Sequence, residues 1–197
     1  TDKIGIMQSM KVGPTIAEDI KSSAFWSVIG SLIVIGLYIL FRFRKWQFSM
    51  GAIVSSAHDV LMVLGIYSLT YSIMPFNMEI DQAFIAAILT VVGYSLNDTV
   101  IIYDRIREVM REPHWSREKI NHALNTTLSR TLNTSFTTLA VLVTIFIFGG
   151  ETLRGFMFAM IIGVFIGTYS SIFVAAPLIY DTVKDEADHT KEEEHKK

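Results

Sequence analysis

The chain has 197 residues, 51% of them hydrophobic and 18% charged, with a formal net charge of −2 and no cysteine. A mean hydropathy of +0.41, with apolar residues in long blocks and charges confined to a few loops and two tails, excludes an ordinary soluble domain and marks an integral membrane protein. The lack of cysteine excludes disulfides, thiolate metal sites and a thiol nucleophile, and the segregation of charge means that the near-balance says nothing about partners.

Residues 1–23 are mixed and polar, with a Gly13-Pro14 break followed by Thr15-x-x-Glu18, the spacing of a capping box. They read as an external lead-in carrying a short helix. The chain opens at Thr1 without a basic stretch followed by an apolar one, so it carries no signal peptide and is expected to be one piece of a longer polypeptide. The first span, 24–41, is free of charge and long enough to cross the hydrocarbon. Trp26 near one end, and Arg42, Arg44, Lys45 and Trp46 at the other, are its interfacial anchors.

The second span, 48–72, is apolar except for Ser55, Ser56, His58 and Asp59 near its middle, and an acidic loop with Glu79 and Asp81 follows. The third span, 83–103, is closed by Asp104, Arg105, Arg107, Glu108 and Arg111. Residues 115–128 place Ile120, Ala123, Leu124 and Leu128 on one face, as in an amphipathic helix on a membrane surface, and run without a breaker into the fourth span, 132–148. A Gly149-Gly150 turn leads to the fifth span, 155–180, with Gly163-x-x-x-Gly167, a close-packing pattern in lipid. Residues 183–197 alternate acid and base, the composition of a disordered tail.

The expected architecture is therefore all-α, a polytopic bundle of five transmembrane helices over residues 24–182. Lys and Arg gather after the first and third spans and in the C-terminal tail, are absent after the second, and number only Arg154 after the fourth. By the positive-inside rule the basic side is cytoplasmic, which puts the N-terminal end outside and the C-terminus in the cytoplasm.

The stretch from Gly93 to Glu108, GYSLNDTVIIYDRIRE, organises the rest. A carboxylate at membrane depth costs about 2.5–3.5 kcal/mol on insertion scales, so such a group faces inward and is used. Asp98, beside Asn97, is that candidate. In the fourth span Arg130, Asn133, Thr134, Thr137 and Thr138 form one continuous helical face. Taken alone, that stripe is explained by Arg130 reaching the headgroups and the threonines bonding their own backbone. Depth favours more: Asp98 near the end of the third span and Arg130 at the start of the fourth would meet if these antiparallel neighbours pack, and an ion pair would offset the insertion cost of both.

Tyr94, Ser95 and Asp98 share a face, so hydroxyls able to relay a proton surround the carboxylate; Asp59 likewise shares its face with Ser55 and Ser56. Burial favours a neutral carboxylate and a neighbouring Arg a charged one, so a group under both influences can take up and release a proton. His58 and Asp59 are consecutive and project about 100° apart, so they are not read as an acid–base pair or metal site. Packing, or a bond to a neighbouring span, is the plainer role for His58. Gly93, Gly163 and Gly167 read as packing contacts. No glycine loop for phosphates and no aromatic-interleaved basic patch for nucleic acid is present.

These residues, with LNTTLSRTLNTSFTTL around Arg130-Thr131, the Ala57-His58-Asp59 region and the VGPTIAEDI lead-in, resemble the SecF family of bacterial protein-export membrane proteins, or the SecF half of a fused SecDF. The resemblance implies a member of the resistance-nodulation-division superfamily that uses the proton or sodium gradient to help draw preproteins from the Sec translocon channel across the bacterial cytoplasmic (inner) membrane. It implies partners in a SecD half, the translocon, a preprotein and membrane lipid. It also implies no enzymatic activity, no nucleic acid and no cofactor or metal beyond the coupling ion. By this likeness the chain corresponds to spans two to six of a six-span half, lacking the first span and external domain. Asp98 and Arg130 correspond to residues of the family's ion pathway, with Asp59 a weaker correspondence.

Three other readings stand beside it. One is an exporter of small molecules or lipids from the same superfamily. Another is a structural scaffold subunit whose buried pair only fixes helix register. The third is an intramembrane aspartyl protease using Asp59 and Asp98, which requires two carboxylates about 3 Å apart; their expected depths in the membrane are poorly matched.

Overall fold

The computed structural model describes residues 14–111 and 117–183; the first thirteen residues of the lead-in, residues 112–116 and the tail from 184 onward lie outside the described residues. Five helices account for nearly all of it: α1 (Pro14–Phe43), α2 (Trp46–Thr70), α3 (Gln82–Val109), α4 (Arg117–Phe148) and α5 (Glu151–Ser170). The chain continues from α5 through a π turn, Ser171–Ala175, into a last helical stretch, 176–183. All five spans are long and apolar enough to cross a membrane, and no strand occurs among the described residues.

The helices outrun the expected spans at several ends. α1 begins at Pro14, a residue whose fixed φ suits the first helical position, so the described part of the lead-in is the opening of α1 and not a separate short helix. α3 starts behind Asp81, whose side chain accepts the Phe84 N–H at 2.8 Å as an N-cap. It runs six residues beyond the expected end because its charged last turns are solvated and paired, Arg42 with Asp104 at 2.9 Å and Arg105 with Glu108. The amphipathic segment and the fourth span are one helix, α4, with Ile120 and Ala123 buried on the expected face.

α2, α3 and α5 form the core, and α1 and α4 lie against it with much of their apolar surface outward: Phe41 is 79% exposed and Phe136 74%. Contact between α3 and α5 depends on the paired glycines. A Cβ at Gly163 would collide with the Val91 side chain, and one at Gly167 would stand 2.8 Å from the Ser95 Cβ. The expectation for Gly93 differs: it is exposed and has nothing within 4 Å of a built Cβ, so it is not a packing residue within this chain. Aromatic clusters close the core at both ends. Phe43 and Phe48 stack at 5.0 Å with Tyr103 edge-on to both, and Tyr67, Phe84, Phe76, Phe146 and Phe158 do the same at the other end. The layer between them is polar.

Candidate functional site

Two carboxylates lie in that middle layer, and the helices treat them differently. Asp59 on α2 has a fully buried side chain. It accepts a 2.6 Å hydrogen bond from the Ser95 hydroxyl on α3 and has His58 Nδ1 3.3 Å away, with Ser170 of α5 close by and donating to the Gly167 carbonyl at 3.2 Å. Ser170 in turn lies 3.3 Å from Ser55. A buried carboxylate needs several donors to replace its water, and Asp59 has them.

Asp98 on α3 is just as buried, at 1% exposure, but poorly supplied. Its Oδ2 receives Ser135 of α4 at 3.4 Å, and its Oδ1 has no partner among the described residues. Ser135 stands 2.6 Å from Thr168, whose own hydroxyl donates to the Val164 carbonyl at 2.8 Å. A serine has one proton to give, so Ser135 serves Asp98 or Thr168 and not both. Leaving a buried polar atom unpaired costs on the order of 1–3 kcal/mol, more if it is charged. Thr131, buried one turn earlier on the same face of α4, has an unpartnered hydroxyl as well.

The expected contact between Asp98 and Arg130 is not made. Arg130 is exposed and joins no ion pair among the described residues; it acts on Asp98 through space. The physical reason is angular: Thr131 and Ser135 are the α4 residues buried against α3 and α5, whereas Arg130, Asn133 and Thr137 of the stripe are turned outward and only its far end, at Thr138, meets α3. Thr134, Thr137 and Thr138 donate to carbonyls of their own helix, as the plainer reading of the stripe has it. Asn97, Asn133 and Thr137 are exposed. Tyr94 does not join Asp98; its hydroxyl donates to Thr138 at 3.1 Å. Ser95 serves Asp59 instead of Asp98.

Two further differences concern Asp59. Consecutive residues diverge at Cβ, yet the imidazole of His58 is long enough to fold back to its neighbour's carboxylate. Asp59 also lies closer in depth to Asp98 than expected, because its donor Ser95 is only three residues, ~4.5 Å of rise, from Asp98. The two carboxylates share no hydrogen bond among the described residues, each being held by a different serine.

Residues not singled out from the sequence complete the layer: Thr99 and Ser171 are 2.9 Å apart, and Ser171 donates to Gly167 at 2.8 Å. The π turn begins at Ser171. Such turns recur at functional sites but have no compositional signature. Ser135 had one: with Thr131 it repeats a hydroxyl at i, i+4, beside the more conspicuous Arg130 stripe. Among the described residues no three His, Cys, Asp or Glu side chains gather, so the chemistry on offer is that of two separate carboxylates among hydroxyls.

A protein-family description, protein export membrane protein SecD/SecF, C-terminal, matches residues 1–185. The chain belongs to the SecD/SecF family. Among SecF relatives it is 56% identical over 178 residues to the protein translocase subunit SecF of Rhodothermus marinus, covering 89% of this chain and 58% of that protein. It is 45% identical over 170 residues to the protein translocase subunit SecDF of Brucella abortus, covering 85% and 22%. The crystal structure of SecDF from Thermus thermophilus matches with a TM-score of 0.78 at 42% identity, over 88% of this chain and 23% of that one. The chain thus spans a little over half of the SecF protein and under a quarter of the SecDF chains. Like the fold, the family makes this SecF-type chain a multi-pass membrane protein.

Proposed function

We propose that the chain is the membrane part of a SecF-type subunit of the protein-export apparatus, in which Asp98 carries the coupling ion and Arg130 sets its charge balance. The observation that supports this most directly is the Oδ1 of Asp98, a buried carboxylate oxygen unpartnered among the described residues, beside an outward face of Arg130, Asn133 and Thr137 that no described residue covers. Uncovered polar groups at membrane depth call for a protein partner or a watered path. The partner is a SecD half, in keeping with relatives in which SecD and SecF are fused.

In this reading a proton or sodium ion arriving at Asp98 removes its attraction for Arg130 and changes which hydroxyl Ser135 serves, tipping the packing of α4. One elementary charge moved through 100 mV is worth about 2.3 kcal/mol, enough to shift a two-state equilibrium roughly fiftyfold. The bias is spent on preprotein movement at the Sec channel, in the bacterial inner membrane, with the N-terminal end outside and the C-terminus cytoplasmic. No covalent catalysis, cofactor or structural metal enters the mechanism.

The test is gradient-dependent preprotein export in membranes carrying the complete assembly, wild type against Asp98→Asn, with assembly followed by co-purification. Normal assembly with loss of the gradient-dependent component is the expected outcome. Unchanged export would refute ion coupling through Asp98 and leave it a structural role.

A further inference from the structure

Two groups of cations more than sixty residues apart, Arg44 and Lys45 in the α1–α2 turn and Arg107 and Arg111 at the end of α3, line one cleft of about 230 Å³ with Phe43, Phe48 and Met110. Read separately, each group is an interfacial anchor. Together they put four positive charges around a space of roughly eight water volumes at ~30 Å³ each, with no carboxylate among the described residues that line it.

The acids on the same helix ends are already engaged, Asp104 with Arg42 and Glu108 with Arg105. Arg44, Lys45 and Arg111 make no ion pair or side-chain hydrogen bond among the described residues. Among the described residues Arg107 reaches the Arg42 carbonyl, at 3.4 Å, and the face of Phe43.

The start of α2 belongs to the same cleft. Lys45 is the N-cap of this 25-residue helix and supplies no side-chain cap, so the first-turn amides add their partial positive charge next to the cations. Arg44 closes α1 with its N–H on the Leu40 carbonyl at 2.8 Å and a φ of 57°. That left-handed position is where glycine is the usual occupant, and here it holds a cation.

We propose that this cleft binds the phosphodiester headgroup of an anionic phospholipid. The cleft lies where the apolar spans end, with Trp46 beside it 52% exposed and with Leu37, Tyr38 and Phe41 exposed along α1 leading away from it. A headgroup seated among the cations lays its acyl chains along that apolar strip, which a soluble phosphate would leave unused. Basic pockets between transmembrane helices at the membrane surface have this selectivity for anionic headgroups.

The test uses the full chain with Trp26 and Trp115 replaced by Phe, so that Trp46 alone reports. It is placed in phosphatidylcholine nanodiscs containing brominated phosphatidylglycerol or, in parallel, brominated phosphatidylcholine. Quenching of Trp46 is expected at a several-fold lower mole fraction of the anionic lipid. That preference should fall with each cation removed, by at most about fivefold apiece, bringing R107Q/R111Q close to parity. R44G/K45Q, in which glycine suits the left-handed turn, should lose it equally, and R117Q/K119Q, with the same net charge change on α4, should keep it. No preference in the wild type, or an equal loss in the α4 variant, overturns the site. Displacement by millimolar inorganic phosphate at constant ionic strength overturns the lipid assignment.

Discussion

Replacing Gly163 by Ala places a methyl group on the Val91 side chain, 2.9 Å from its Cβ and 2.6 Å from Cγ1. Val91 is 1% exposed and β-branched, with one strongly preferred rotamer in a helix, so it cannot swing aside and α3 must move away from α5. With every contact to Val91 shorter than 3.0 Å, the overpacking cost falls in the upper part of its usual range, about 2–3 kcal/mol, against which the better helix propensity of Ala returns about 1 kcal/mol, leaving a net loss of ~1–2 kcal/mol. Val91→Ala alone leaves a void at the same contact, and in the double variant the new methyl occupies it. The cycle of wild type, both single variants and the double should therefore show a coupling energy of about 1 kcal/mol or more in favour of the double. The assay is unfolding of the purified chain in mixed micelles of mild detergent and dodecyl sulfate, followed by helical circular dichroism. A Gly163→Ala chain that unfolds at the wild-type dodecyl sulfate fraction, or costs that add without coupling, would refute the argument that close approach at this glycine holds the two helices together.

Three further outcomes follow from single contacts. Ser95→Ala removes the 2.6 Å bond to a carboxylate with no solvent exposure and should cost about 1.5–3 kcal/mol in the same titration, whereas Thr144→Ala, whose hydroxyl bonds only its own helix at Ala140, should change little. Asp81→Ala deletes the α3 N-cap and should cost about 1 kcal/mol, with Asp81→Asn close to wild type; equal stability of all three chains would remove the cap from the account. Arg130→Lys keeps the charge but not the planar fork of the guanidinium, and is expected to lower gradient-dependent export in an assembly that still co-purifies. Full activity there would count against Arg130 as a specific partner of the ion path.

The spans were legible because a membrane imposes long apolar runs, and the inward burial of Asp98 and Asp59 was legible because a charge in lipid is costly. Helix ends were less so. Charged residues such as Asp104 and Arg107 mark where a span leaves the hydrocarbon, not where the helix stops, and α3 keeps its hydrogen bonds to Val109. The Asp98–Arg130 contact illustrates a different limit. Periodicity assigns residues to a face within one helix, but the neighbour that face meets is set by packing between helices, here by Gly163 and Gly167 drawing α5 onto α3. Thr131 and Ser135 therefore turn inward and Arg130 outward. The π turn at Ser171 could not be read at all, since one extra residue in a helical turn leaves no trace in composition or spacing.

α4 runs unbroken for 32 residues, ~48 Å at 1.5 Å per residue, against a hydrocarbon core of ~30 Å. It touches Asp98 at Ser135, well inside its length, with a stretch of ~27 Å from there to Arg117. That geometry is a lever with its short throw at the carboxylate. A tilt of ~10° about Ser135 hardly changes the distance to α3, yet carries the Arg117 end through ~5 Å, about the width of a side chain. A change of angle too small to register where α4 crosses the buried layer is therefore a displacement of side-chain size where the helix leaves the hydrocarbon.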